Sequence, residues 1–288
     1  MGSNLEIKTI KQAFDEEVEY ISGRYTGRIK SVKTPWTTWN ETYTDGFEWG
    51  WIVTVAGLSG GGKTALLNIL ETQIFECNPE QRIAVLSFNF EMLARRLVGR
   101  KISGVLKKTV KQLYSADKDN NITEEELGLI TSKIGEEITK YDISYIEMPG
   151  NVVDIEFAAE DFIIKRLRQY PDTRVVITLD HSILVKKMKG DERDTLTELM
   201  SAFNELKKRY PNTLFIVLSQ LNRNIEKEER KKGFGPERIL HFPQKSDIFG
   251  SESLFQFSDA VIVFHRPELL GLEAYGPKGL PVQGIIYC

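Results

Sequence analysis

The sequence predicts an α/β fold, a mostly parallel, twisted sheet with helices on both faces, preceded by one N-terminal helix. Three observations lead there. Short apolar, β-branched runs at residues 51–56, 82–88, 174–179 and 214–218 alternate with segments of helical periodicity. That alternation calls for right-handed crossovers between parallel strands. The first run leads directly into Gly57-x-x-x-x-Gly62-Lys63-Thr64, a P-loop signature that requires a strand before it and a helix after it. Finally, Gly57, Glu91, Asp180 and Gln220 all follow strand ends, the edge at which such sheets bind ligands.

In chain order, residues 5–21 place Ile7, Ile10, Phe14, Val18 and Ile21 on one helical stripe, with Ser22-Gly23 ending the pattern. The spacing alone favours packing on the helix's own domain; a neighbouring subunit is the alternative. Residues 26–50 are loop-rich and carry Trp36, Trp39, Tyr43, Phe47 and Trp49, a composition that reads as a small aromatic core. After the P-loop, Leu66, Ile69, Leu70 and Ile74 mark a helix. A second helix is expected to open at Glu91-Met92 and run to about Lys101. Thr123 with Glu126 forms a capping box for a third. A short strand follows at 143–146, and a long helix at 151–170. The strongest strand, 174–179, ends on Asp180. A helix at 195–210 leads to the strand that ends at Ser219-Gln220, and a polar loop covers 222–245. Residues 260–264 and 282–287 read as the last strands.

Composition narrows the function. The 288 residues suit one large domain, or one domain with an appendage. A net charge of −3 gives no global basic signal, so a nucleic-acid site must be local. Cys77 and Cys288 form no Cys/His cluster, which argues against a disulfide framework or zinc site and fits a reducing compartment. No apolar run approaches the ~20 residues a membrane span needs. The N-terminus is too polar for a signal peptide, and a cytoplasmic setting is expected.

The P-loop carries the chemistry. Glycines at 57 and 60–62 are expected to allow left-handed backbone, so that successive N–H groups face a phosphate. Ser59 lies within the same cradle, and the helix starting at Lys63 points its positive dipole end there. Lys63 would reach the β- and γ-phosphates of ATP, and the Thr64 hydroxyl would ligate Mg²⁺. Asp180, closing an apolar strand, is a Walker B carboxylate that would hold Mg²⁺ with Thr64. Glu91 is a candidate base for the attacking water, or alternatively a carboxylate stabilising a helix N-terminus. Gln220 is a candidate γ-phosphate sensor, or alternatively a satisfied polar residue at a strand end.

Two loops could meet a polyanion. Residues 185–194 carry Lys186, Lys187, Lys189 and Arg193 among three acidic residues. Residues 222–245 carry seven basic side chains, Arg223, Lys231 and Lys232 among them, against four acidic ones. Such loops are ordinarily solvated. A glycine-containing basic loop directly after a nucleotide-sensing strand points towards nucleic acid.

These residues together resemble the C-terminal motor domain of the DnaB-type replicative helicases, a branch of the RecA-like P-loop ATPases. VAGLSGGGKTALLNI (55–69), LSFNFEM (86–92) with Arg100 nine residues after Glu91, VVITLDH (175–181) and LSQLNR (218–223) carry the resemblance, with SDIFGSESLFQFSDA (246–260) a weaker fifth match. The resemblance implies a hexameric ring of identical chains that hydrolyses ATP at subunit interfaces, draws single-stranded DNA through its centre, and works with a primase or loader. It implies that Glu91 is the catalytic glutamate and Gln220 the γ-phosphate sensor. It makes residues 1–24 a linker helix docked on the adjacent subunit, and 25–288 the ATPase domain. A bacterial or phage-infected host follows, with a mobile-element origin in view of the divergence.

The chain departs from the family pattern in places. Phe249 and Gly250 stand where the family has an Arg-Glu pair, and His181 replaces the aromatic usual after the Walker B Asp. The family's N-terminal primase-interacting domain is not matched. The basic turn that supplies a trans-acting finger would follow the strand in which this chain ends, so a truncated chain or an unusual finger is expected. An ATP-dependent switch, a loader or a recombinase that does not unwind DNA is the competing reading.

Overall fold

In the computed structural model, residues 7–187, 190–227, 230, 242–276 and 278–288 are described. They form two compact units, one up to Glu48 and one from Trp49 onward.

The first unit holds helix α1 (Ile10–Tyr25) and the short α2 (Thr37–Thr42). Thr9 caps α1 through a reciprocal box with Gln12. The helix does not stop at Ser22-Gly23: it continues to Tyr25, because Thr26 completes the last turn by bonding back to Ser22. The aromatic core is present and small. Trp39 lies 4.7 Å from Trp36 and 5.9 Å from Phe47, ring to ring, and Phe47 and Val32 are buried. Trp49 belongs to the second unit instead, where its indole N–H donates to Gln81.

The second unit is built on one sheet of six parallel strands in the order β3-β2-β4-β5-β1-β6. These are β1 (Ile52–Gly57), β2 (Ile83–Asn89), β3 (Ile143–Ile146), β4 (Arg174–Asp180), β5 (Thr213–Gln220) and β6 (Ala260–Phe264). Helices α3 (Lys63–Cys77) and α4 (Ala94–Leu106) follow β1 and β2, with α5 (Val110–Tyr114) after α4. The capping box at Thr123 starts α6 (Glu124–Leu129), which passes through a π-turn at Ile130–Ile134 into α7 (Gly135–Thr139). Helices α8 (Val152–Gln169) and α9 (Glu192–Arg209) flank β4, and α10 (Ser251–Phe257) precedes β6. Residues 282–287 are not a strand. They contribute one antiparallel bridge, His265 to Tyr287, since Gly284 turns the backbone to a φ of 69°.

Strand alternation divides the sheet into two faces. Ile52, Ala56, Leu86, Phe88, Val175, Ile177, Leu179, Phe215 and Val217 pack with α8 and α9 through Ile155, Ala159, Ile163, Leu199 and Phe203. Their neighbours point the other way, towards α3, as shown by the hydroxyls of Ser87 and Thr178 reaching Glu71 on that helix. By the same period of two, Gly57, Asn89, Asp180 and Gln220 close their strands on the α3 face. Helix α3 itself buries Leu66, Leu67, Leu70 and Ile74, while Ile69 is exposed. The stripe is thus shifted by part of a turn from the one read in the sequence, because the helix lies flat on a sheet rather than in a narrow seam.

Candidate active site

The P-loop turns between β1 and α3. Gly60 and Gly62 have φ of 72° and 98°, the left-handed values expected of them. Gly57 does not, and its need for glycine is one of space: a Cβ there would sit 2.7 Å from the Phe264 carbonyl oxygen. Gly61 is likewise at an ordinary φ and crowded by the Leu58 carbonyl, to which its N–H donates at 3.0 Å. Ser59 is exposed at the loop's tip.

Lys63 is the first residue of α3 and is buried. Its ammonium donates to the carbonyls of Gly57 and Leu58, each at 2.9 Å. Burial lowers its pKa, and the negative charges of Asp180 and Glu91 pull it back up. Lys63, Asp180 and Glu91 are therefore close enough to feel one another. Asp180, at the end of β4, is 1% exposed, with the Thr64 hydroxyl beside it. Burial raises its pKa, and the nearby Glu91 adds to that.

The residues present fit a divalent cation. Asp180 Oδ1 is buried and has no hydrogen-bond partner among the described residues, an uncompensated cost for a carboxylate unless a cation meets it. The Thr64 hydroxyl beside it completes an all-oxygen donor pair of the kind Mg²⁺ prefers.

Glu91 stands in the bend beyond β2, its side chain 56% exposed. It does not open a helix, since α4 begins at Ala94. Phe90 still bonds to the Asp180 carbonyl, which carries the chain past the strand end before it can turn. Nor does Glu91 cap that helix: the Ala94 N–H donates to Glu147 instead. The imidazole of His181 approaches it, with Nε2 3.8 Å from Glu91 Oε2. His181 Nε2 is also 3.3 Å from the Gln220 amide nitrogen. Burial holds the imidazole's pKa down, against the opposing pull of Asp180 and Glu91. Gln220 closes β5 directly opposite Gly57, and β5 lies between β1 and β4, so the amide stands between the phosphate loop and the Walker B strand.

One model, that of the DnaB-like helicase C-terminal domain family, matches residues 32–278. The chain belongs to that family. Among curated proteins it is similar to the replicative DNA helicase DnaB of Mycobacterium leprae (strain TN). Identity there is 25% over 203 residues, 70% of this chain and 30% of that protein. It is also similar to the DnaB of Mycoplasma genitalium, 25% identical over 272 residues, 92% of this chain and 50% of that one. The chain thus spans half or less of the length of these relatives. Of solved structures, one ATPase domain superposes with a TM-score of 0.75 at 20% identity, covering 98% of this chain and 94% of that one. A DnaB-like replicative helicase described with its interactions with primase gives 0.72 at 20%, covering 99% and 65%. These two speak to the fold, and the fold is the RecA-like one.

The expected DNA-contacting residues are only partly in view. Lys186 and Lys187 are exposed after β4, Lys187 pairing with Glu192 at 2.8 Å. Arg223 is exposed at the start of a 3-10 turn after β5. Lys189, Lys231 and Lys232 lie outside the described residues. Arg230 is committed elsewhere, bonded to the buried Asp247 and to the Phe242 carbonyl. Two polar residues of the fifth motif also prove to be anchors. Asp247 ties that turn together, and Asp259 receives the Ile52 N–H at 2.7 Å and Lys207 at 2.6 Å. Glu71 with Ser87 and Thr178 escaped notice in the sequence; the available signal was three polar residues at positions that should face a buried sheet.

Proposed function

We propose that this chain is the motor domain of a replicative DNA helicase that hydrolyses ATP at the subunit interfaces of a hexameric ring and draws single-stranded DNA through it. One observation carries the reading: in a chain of the DnaB-like family, the Thr64 hydroxyl lies beside a buried Asp180 whose Oδ1 lacks a hydrogen-bond partner among the described residues, with Lys63, Glu91 and Gln220 on the same strand-end edge.

The residues divide the work as follows. The backbone of Gly57 and Gly60 to Gly62, with Ser59, cradles the phosphates, and Lys63 leaves its loop carbonyls to neutralise charge developing on them. Thr64 and Asp180 hold Mg²⁺, which offsets phosphate charge when bound. Glu91, exposed and held by no cap, orients the attacking water as its general base. Gln220, between the phosphate loop and β4, reads the γ-phosphate.

The exposed apolar stripe of α1, with Phe14 64% and Ile21 56% exposed, fits a linker segment, residues 1–24, whose helix packs on a neighbouring ATPase domain, residues 25–288. Lys186, Lys187 and Arg223, with Lys189, Lys231 and Lys232 of the same loops, would face the DNA backbone. A primase or loader is the expected further partner, in the cytoplasm of a bacterium or a phage-infected host. No helix among the described residues is long and apolar enough to cross a membrane.

ATP turnover measured with and without single-stranded DNA tests the proposal. Stimulation by DNA, abolished in Lys63→Ala, is expected. Turnover indifferent to both would leave an ATP-independent or non-translocating protein.

A further inference from the structure

We propose that His181 is a positioning residue for hydrolysis: its Nε2 ties the Gln220 amide to the Glu91 carboxylate, so that sensing the terminal phosphate and orienting the attacking water act as one unit. This rests on the roles given above to Glu91 and Gln220. The imidazole is 6% exposed, on the residue following Asp180, and one of its nitrogens does all the visible work. Nε2 is 3.3 Å from the Gln220 amide nitrogen and 3.8 Å from Glu91 Oε2, while Nδ1 is buried without a partner among the described residues. A neutral imidazole nitrogen either accepts or donates, never both. As an acceptor, Nε2 takes the amide N–H of Gln220; as a donor, it serves the Glu91 carboxylate. Gln220 and Glu91 therefore compete for one atom. When the Gln220 amide leaves His181 for a phosphate oxygen, nothing holds the ring in the tautomer with a bare Nε2; with its single proton on Nε2 instead of Nδ1, the neutral imidazole can donate to Glu91, whose carboxylate stands in a bend with no helix cap or strand to fix it. Gln220 is on β5 and Glu91 lies beyond β2, with β4 and its His181 between them in the sheet. The imidazole is thus where a signal crossing from one strand end to the other would pass.

The test compares side chains that differ in where they place a polar atom. In the full chain, His181→Phe and His181→Asn remove any group from the Nε2 position, whereas His181→Gln puts its amide there. The expected result is a fall in kcat of about 10- to 100-fold for Phe and Asn, with KM and the Kd for a fluorescent ATP analogue within about 2- to 3-fold of wild type. Gln should recover at least several-fold of the loss. The double variant His181→Phe/Gln220→Ala should be no more than about 2-fold slower than Gln220→Ala alone, since both act through one link. Asn serves in place of Phe should the aromatic ring disturb folding. Full turnover in Phe and Asn, a Gln variant as slow as Asn, or multiplicative losses in the double variant would each overturn the proposal. If Lys63→Ala is inactive while Phe and Asn run at full rate, only this inference fails. If Lys63→Ala turns over as fast as wild type, the hydrolytic reading fails and takes this one with it.

Discussion

Helices α1 and α3 carry apolar side chains at the same helical spacing, yet they meet opposite surroundings. In α3, Leu66, Leu67, Leu70 and Ile74 are each at most 5% exposed, against the sheet. In α1, Ile10, Phe14, Val18 and Ile21 all remain exposed. Periodicity reveals that a helix has an apolar face, and it is silent on what covers that face. The difference matters for function. Helix α3 must hold Lys63 and Thr64 still at its N-terminus, and it does so by burying one apolar face along its length and by planting Glu71 between Ser87 of β2 and Thr178 of β4. Helix α1 carries none of the site residues, and its exposed apolar face is what the proposed docking on a neighbouring subunit would use.

Four experiments would sharpen or break that contrast, from the largest expected effect to the smallest. Lys63→Ala, at the start of α3, removes the ammonium proposed to neutralise the phosphates and should lower ATP turnover by about 100-fold or more, measured as steady-state phosphate release. Retained turnover would separate α3 from the chemistry. Leu70→Ala, in the buried stripe, should cost about 2–5 kcal/mol of unfolding free energy in urea, because a cavity opens against the sheet. A cost as small as that of a surface change would mean that α3 is not anchored as described.

The third experiment reads pH. Burial raises the pKa of Glu71 above its ordinary value and lowers that of Lys101 beside it, so both are driven towards their neutral forms. For a carboxyl whose folded pKa is raised, the stabilisation is fully present below its unfolded pKa. It is lost as pH climbs from there through the folded pKa. Glu71→Gln keeps an oxygen for the Ser87 and Thr178 hydroxyls and removes the titration, so its stability should fall less over that window than that of wild type. Parallel pH profiles from chemical denaturation would refute this. The smallest effect on stability is expected in α1. Phe14→Ser should change the unfolding free energy by no more than about 0.5 kcal/mol. The same substitution should shift the protein towards monomers in light scattering if that face is an intersubunit one.

Much of the site was legible because its chemistry is local. Gly57 to Thr64 is a contiguous motif whose flanks can be checked within the neighbouring strand and helix, and the apolar run before Asp180 marks a buried strand ending in a carboxylate. Glu91 was placed in the correct connection but on the wrong element. The reason is a long-range bond, Phe90 to the Asp180 carbonyl, that holds the chain extended beyond the expected strand end. Likewise the carboxylate that reaches the start of α4 is Glu147, 53 residues away. Arg230, one of the seven basic side chains of its loop, is bonded to Asp247, 17 residues on, and such a pairing has no local signature.

The sequence by itself determined the alternation of strands and helices, the phosphate loop, the Walker B carboxylate and the glutamine-ending strand, since each depends on the period of the backbone and the chemistry of neighbouring residues. Only the tertiary structure decided that β5 stands between β1 and β4, and that Gly57, Asn89, Asp180 and Gln220 end on the face carrying α3. It also set one imidazole nitrogen between Gln220 and Glu91. Those facts depend on sheet order and on the two-residue alternation of each strand taken together, and no single stretch of chain contains either.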